Sequence, residues 1–340
     1  MKKNKIIRFC IILLMIFSGA SIATSCSDEE RLSQDPIIHS VNDIVENLPV
    51  QAGSRENMYI IHGEKLNNTI EVYFNGALAK YNPALSTYSN VFVTIPQDAP
   101  YGIDNQEIKL VTTTGSTTYK FTVKPPAPLF KSFHPINVAD GGEITIYGDF
   151  FVDPVVTIGG VEAAIISATE TQIVVALPAG SQGKKVSVTT SAGTTEWGTA
   201  VGTALYDDAF YAPWNFESWN NHEYITNFDQ AFQGNTFIKK TIPAWGNIQG
   251  NWNWDDVAVT KYTGIKFAVR SNSPGKLIFI FNGQYWGDAS KAFNTSKEWT
   301  EVKFKWSDLG NPAAVQFLGF QEFSGAETDY FFDNFTYTTD

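Results

Sequence analysis

Ile144-Thr145-Ile146-Tyr147-Gly148-Asp149-Phe150-Phe151-Val152-Asp153-Pro154-Val155-Val156-Thr157-Ile158-Gly159 is the stretch on which the architecture turns. Its apolar residues alternate with others in two short runs, broken by Gly-Asp and Asp-Pro, and the period is that of half-buried strands. Residues 59–76 repeat it, from Tyr59-Ile60-Ile61-His62-Gly63-Glu64 to Val72-Tyr73-Phe74-Asn75-Gly76. The correspondence continues in order: Val91-Phe92-Val93-Thr94-Ile95-Pro96 matches Ile173-Val174-Val175-Ala176-Leu177-Pro178, and residues 109–115 match 186–193. Short strands, frequent Gly, Asn, Asp and Pro, and no helical period predict two antiparallel sandwiches of roughly 80 residues each.

The second copy resembles the immunoglobulin-like IPT/TIG domain through Phe133-His134-Pro135, Gly148-Asp149-Phe150 and Ile158-Gly159-Gly160-Val161-Glu162-Ala163. The first copy departs from that pattern, with Gly63-Glu64-Lys65-Leu66 in place of the aromatic ending and a longer insertion before Val91. The expected boundaries are 36–124 and 127–197, separated by the stiff Lys124-Pro125-Pro126-Ala127-Pro128. Neither copy has a tryptophan-rich or charge-convergent cluster, so both read as spacers. His39, His62 and His134 fall at unrelated spacings and read as structural or exposed residues, not metal ligands.

Upstream, Lys2, Lys3, Lys5 and Arg8 precede an apolar run from Phe9 to Phe17, and Ala23-Thr24-Ser25-Cys26 follows. Residues 1–25 read as an export signal, since the apolar run is shorter than the ~20 residues of a membrane span. Cysteine after small residues resembles a bacterial lipobox, which implies cleavage before Cys26, its acylation and an outer-membrane lipid anchor. Residues 26–35 then form a linker whose Ser27-Asp28-Glu29-Glu30 resembles an acidic tag for display on the cell exterior. Cys10 leaves with the signal, and an acylated Cys26 leaves no thiol for a disulfide. The full chain carries a formal charge of −11; losing the four cations of the signal makes it −15. Such a surface disfavours nucleic acid, whose phosphates need cations, and repels anionic polysaccharides, so a neutral glycan is the expected partner.

All nine tryptophans lie between Trp197 and Trp306. From about Leu205 the chain turns to aromatic and amide residues, with strands expected at 265–269, 277–281, 299–306, 315–323 and 330–337. No amphipathic helix interrupts them, which predicts a two-sheet jelly roll over 205–340. The whole chain is thus expected to be all-β: two immunoglobulin-like sandwiches followed by a jelly roll. Trp214-Asn215-Phe216-Glu217-Ser218-Trp219, Asn251-Trp252-Asn253-Trp254 and Asn282-Gly283-Gln284-Tyr285-Trp286 set rings beside amides. A pyranose has an apolar face that can lie on an indole and hydroxyls that amides serve in both directions. The expected contacts are Trp252, Trp254, Trp286, Tyr285, Trp245, Trp219, Asn282 and Gln284. On an extended strand Trp252 and Trp254 would face one side roughly 7 Å apart; in a loop, one of them would be a lid or anchor. Trp299 and Trp306 read as core, and Trp197 as a wedge at the module boundary.

Leu205-Tyr206-Asp207-Asp208, the 298–309 segment and Tyr330-Phe331-Phe332-Asp333-Asn334-Phe335 resemble the framework of galactose-binding-type carbohydrate-binding modules. The order of signal, IPT/TIG repeats and jelly roll resembles the B-type surface glycan-binding lipoproteins of polysaccharide-utilisation loci, including those first associated with xyloglucan. That resemblance implies capture of a β-glucan, xyloglucan or similar chain, association with an outer-membrane transporter, and no cofactor. It also makes Asp207, Asp208 and Asp333 candidates for a structural calcium, whose hard cation takes oxygen ligands. A hydrolase would need two carboxylates across a cleft, and no motif pairs any two of Glu217, Asp229, Asp255, Asp256 and Glu322. His222-Glu223 lacks the second histidine of a zinc-protease helix. The competing class is an adhesin or complex subunit binding protein through its immunoglobulin-like domains.

Overall fold

The structure is a computed structural model that describes residues 35–340. The signal, Cys26 and the acidic run lie outside the described residues. The chain divides between Val123 and Lys124 into two compact units, and both are built of antiparallel strands.

In the first unit one sheet runs Ile37–Asp43, Met58–Glu64, Asn90–Thr94, Lys80–Tyr81, and another runs Ala77–Leu78, Thr69–Phe74, Glu107–Thr112, Ser116–Lys120. Ile61, Val72, Phe74, Val93, Leu110 and Phe121 fill the core between them. The second unit begins with the same order: Leu129–His134, Glu143–Asp149, Gln172–Ala176, Ala164–Ala168.

The sequence repeat has a local physical cause. A Cβ on Gly63 would stand 1.9 Å from the carbonyl oxygen of Ile37, and one on Gly148 would stand 2.0 Å from that of Leu129. Both strands pass too close to a neighbouring backbone for any side chain. Two residues on, Lys65 and Phe150 share a left-handed φ of 61°. The aromatic side chain that marks the second copy is therefore dispensable to the turn, which is why Lys65 can stand in its place.

Strand Gly193–Ala200 of the second sandwich is followed after 201–203 by Ala204–Asp207, the first strand of the jelly roll. Polar groups clamp the two together. Asn137 exchanges hydrogen bonds with the backbone of Ala204 at 2.7 and 2.9 Å. Asp207 accepts the Ile136 N–H at 2.7 Å and stands 3.1 Å from His134 Nδ1. Gln233 donates to the Phe133 carbonyl. Lys266, a buried cation, donates to the Gly198 carbonyl at 2.9 Å and to Glu301 at 2.8 Å. Trp197 lies stacked on Phe130 at 5.7 Å and meets Phe232 at 5.7 Å, the wedge expected of it.

The jelly roll sets a seven-stranded sheet against a four-stranded one. Thr328–Thr338 is the long central strand of the first, bonded to Ala204–Asp207, Thr236–Ile242 and Gly264–Ser271. The second runs Asn247–Gln249, Leu318–Glu322, Gly275–Phe281, Ala292–Thr295. Phe267, Phe279, Phe320, Phe332 and Phe335 pack between them, with ring centroids as close as 4.6 Å. Trp214 and Trp306 belong to this core. Trp299 does not, contrary to expectation: it is half-exposed, donates to the Gln230 carbonyl at 2.9 Å and carries the Arg270 guanidinium 5.1 Å from its ring. A strand edge next to the turn at 296–298 leaves its indole at the rim instead of between the sheets.

Candidate functional site

The four-stranded sheet positions the site. Leu277, Phe279, Phe281, Ile248, Leu318 and Phe320 point into the core, so by the two-residue period of strands their neighbours face outward. The register aligns those neighbours in two rows across the sheet. One is Asn247, Gln321, Ile278 and Ala292; the other is Gln249, Gly319 and Ile280. Ile278 and Ile280 are nonetheless buried, because Phe317, Tyr285 and Phe323 pack over them. The loop 282–291 thus covers one half of the outer face, tied down where Gln321 Oε1 accepts the Gly287 N–H at 2.8 Å. The other half, along Asn247–Gln249 and Leu318–Glu322, forms a strip floored by Asn247, Gln249 and Gln321. Gln249 donates to Asn247 at 2.8 Å, which orients the two amides.

Exposed tryptophans lie on the segments that adjoin these strands: Trp219 and Trp245 are each 58% exposed, Trp252 and Trp254 each 63%, and Trp286 42%. Trp245 and Trp252 are held from beneath by aromatic rings. Trp219 sits on a short turn whose neighbour Asn220, buried, accepts the Gln249 N–H at 3.0 Å and donates to the Gln249 carbonyl at 2.8 Å. Trp245 leans edge-on against Phe323 at 5.4 Å. Trp252 packs on Phe317 at 4.9 Å, and a Cβ on Gly283 would come within 2.8 Å of its ring. Trp254, Asn282, Gln284, Tyr285 and Gly310 line a cavity of about 260 Å³. Trp245 precedes Asn247 and Trp252 follows Gly250, so the two stand at opposite ends of the strip, at most about 23 Å apart along an extended chain.

Of the anticipated residues, Trp245, Trp252 and Tyr285 pack on rings of the outer face, and Trp254, Asn282, Gln284 and Tyr285 share one cavity. The 251–254 segment is not a regular strand; it runs beside 315–318 through Asn253 N–H to Gln316 and Asp255 N–H to Val315. Asn251 turns to bond the backbone of Asn215 and Pro213. Asn282 is scaffold: its Oδ1 accepts the Gln316 and Phe317 N–H groups and its Nδ2 donates to the Ala314 carbonyl. Asn247, Gln249 and Gln321, the floor amides, escaped sequence reasoning. The signal was Ile248 between two amides, too short a period to stand out.

The calcium candidates lie elsewhere, at the clamp. His134, Asp207 and Asp208 converge there, a nitrogen with two carboxylates and not the all-oxygen set that calcium takes. Asp208 Oδ1 already accepts the Asn235 and Thr236 N–H groups, and Asp333, fully buried, accepts those of Phe232, Gln233 and Asn334. These carboxylates cap turns and join modules. Burial lifts Asp333 well above the ordinary carboxylate range despite those donors, and hydrogen bonding to Asp207 raises His134.

Residues 128–206 match the IPT/TIG domain. That IPT/TIG module ends inside the clamp, at Tyr206. No curated protein matches the chain. Among solved structures, the surface glycan-binding protein PbSGBP-B of Prevotella bryantii is similar at 15% identity and a TM-score of 0.47, covering 89% of this chain and 98% of its own. An SGBP-B from a complex xyloglucan utilisation locus of Bacteroides uniformis aligns at 15% identity and 0.35, covering 90% and 99%. A family 11 carbohydrate-binding module of Clostridium thermocellum, in complex with a mixed-linked tetrasaccharide, aligns at 13% and 0.28 over 40% of this chain and 95% of the module.

Proposed function

We propose that the chain is a non-catalytic lipoprotein of the bacterial surface that captures a neutral polysaccharide on the Trp-rimmed strip of its jelly roll. The observation that carries this reading is the pairing of five exposed indoles with an amide floor, on a face whose own apolar residues are already covered. Such indoles leave much of their surface in water; they suit the C–H faces of sugar rings, while Asn247, Gln249 and Gln321 suit hydroxyls. Two of the five candidate carboxylates are otherwise engaged: Asp255 accepts the Ala258 N–H and the Tyr337 hydroxyl, and Glu322 is buried. The anchor at Cys26, outward display and delivery to an outer-membrane transporter complete the proposal and rest on the sequence alone.

Affinity electrophoresis of the mature chain through gels containing xyloglucan, mixed-linkage β-glucan or mannan tests it. Retardation without release of reducing ends is expected. Reducing ends would make the protein an enzyme, and free migration through every neutral polysaccharide would reject capture.

A further inference from the structure

Glu322 closes the strand Leu318–Glu322 beneath one end of the strip and is wholly buried. Buried carboxylates need donors, and this one has them from two segments at once. Its Oε2 accepts the backbone N–H of Trp245 at 3.0 Å and of Gly325 at 3.0 Å. Its Oε1 accepts the Ser324 N–H at 2.5 Å, the Ser324 hydroxyl, and the Tyr330 hydroxyl at 3.4 Å. One side chain thus ties the turn at 243–246 to the turn at 322–325.

Trp245 needs such a tie. It occupies the third position of a turn closed by Gly246 N–H to the Pro243 carbonyl, with a φ of +63°. Gly or Asn usually fills that position, and a bulky residue stays there only when its surroundings hold it. The indole is 58% exposed, so core packing does not supply the hold. What touches it comes from the segment that Glu322 organises: Phe323 edge-on, and Gly325, where an added Cβ would lie 3.2 Å from the ring.

We propose that Glu322 is a positioning residue, which holds Trp245 in its left-handed turn and so fixes one end of the platform without itself reaching the saccharide. The inference rests on the strip being the binding site, so its test has an arm that needs no ligand. In a ¹⁵N spectrum of the full mature chain, the Trp245 indole resonance is identified by its loss in Trp245→Phe. Glu322→Gln should shift that resonance and leave those of Trp252, Trp254 and Trp286 in place, because the amide supplies one acceptor oxygen where the carboxylate supplies two. An unmoved Trp245 signal in a folded Glu322→Gln protein would overturn the proposal, whatever the protein binds. If Glu322→Gln does not fold, Ser324→Ala removes a single donor and should still move the same resonance.

The second arm titrates with xyloglucan or mixed-linkage β-glucan, whichever retards the wild type. Trp245→Ala should weaken binding about fivefold to a hundredfold, the range of an aromatic hot spot. Glu322→Gln should reproduce a good part of that loss, yet add less than about twofold on top of Trp245→Ala, since its effect passes through the indole. Full additivity would show that Glu322 acts on its own.

Discussion

Under the proposed function, Trp245 sets stability against binding in one residue. Its left-handed backbone costs about 1–3 kcal/mol for a residue with a side chain, and the indole recovers little by burial. Trp245→Gly should therefore leave the melting temperature level or higher while weakening polysaccharide binding, which calorimetry and thermal unfolding would separate; a fall in both would mean that the ring serves the fold. Trp252→Ala or Trp254→Ala should cost about 1–3 kcal/mol of binding with little change in stability. Trp306→Ala should lose about 3–5 kcal/mol of stability, since its indole is part of the core. Glu322 adds a pH dependence. Burial opposes its ionisation, but the donors from Ser324, Trp245 and Gly325 outweigh it and hold the carboxyl below its ordinary value. A depressed folded value means that the stabilisation is present above the unfolded value of about 4.3 and lost as the pH falls through the folded one. Acid titration monitored at the Trp245 indole should show that loss below about pH 4, and Glu322→Gln should abolish it.

At the level of elements, the loop 282–291 is the part most exposed to failure. Its entry is fixed by Asn282, whose amide holds three backbone groups of 314–317, and its far side by Gln321. Asn282→Ala should cost about 1–3 kcal/mol of stability through the buried N–H groups it abandons, and it should also weaken binding by freeing Tyr285 and Trp286. Unchanged affinity in the folded variant would detach the loop from the site. This element also shows where sequence reasoning stops. Strands at 264–271, 275–281 and 328–338 were legible because long alternating or doubly apolar runs leave one choice of state. The exposure of the rings was legible only in part: Trp219, Trp252, Trp254 and Trp286, each near amides, stand exposed, whereas Trp214 beside Asn215 is buried in the core. Asn282 was not separable from a sugar ligand by composition: an amide serves a backbone and a hydroxyl with the same atoms, and only its neighbours in space decide. Trp299 was misplaced for a related reason, because the end of a strand alternates like its middle but is covered on one side only.

For the whole molecule, the clamp sets the smallest working piece. A fragment starting at 205 would bare Lys266, Asp207, Asn334 and Gln233, each of which bonds to residues 133–199. Residues 124–340 should bind polysaccharide as the mature chain does and unfold in one transition. Residues 205–340 should melt far lower or aggregate, and equal melting of the two would show that the clamp contributes nothing. Comparable binding by residues 35–123 alone would sink the spacer role of the first unit.

Recombination between genes trades domains by cutting in linkers, and the Pro-rich 124–128 segment offers such a cut. The joint at 201–203 does not. A jelly roll transferred from another gene would arrive without a lysine matched to the Gly198 carbonyl or an aspartate matched to Ile136, leaving polar groups on both sides unpaired. Inheritance should therefore keep the second sandwich and the jelly roll together as a single cassette, while the first sandwich is free to be duplicated, lost or replaced.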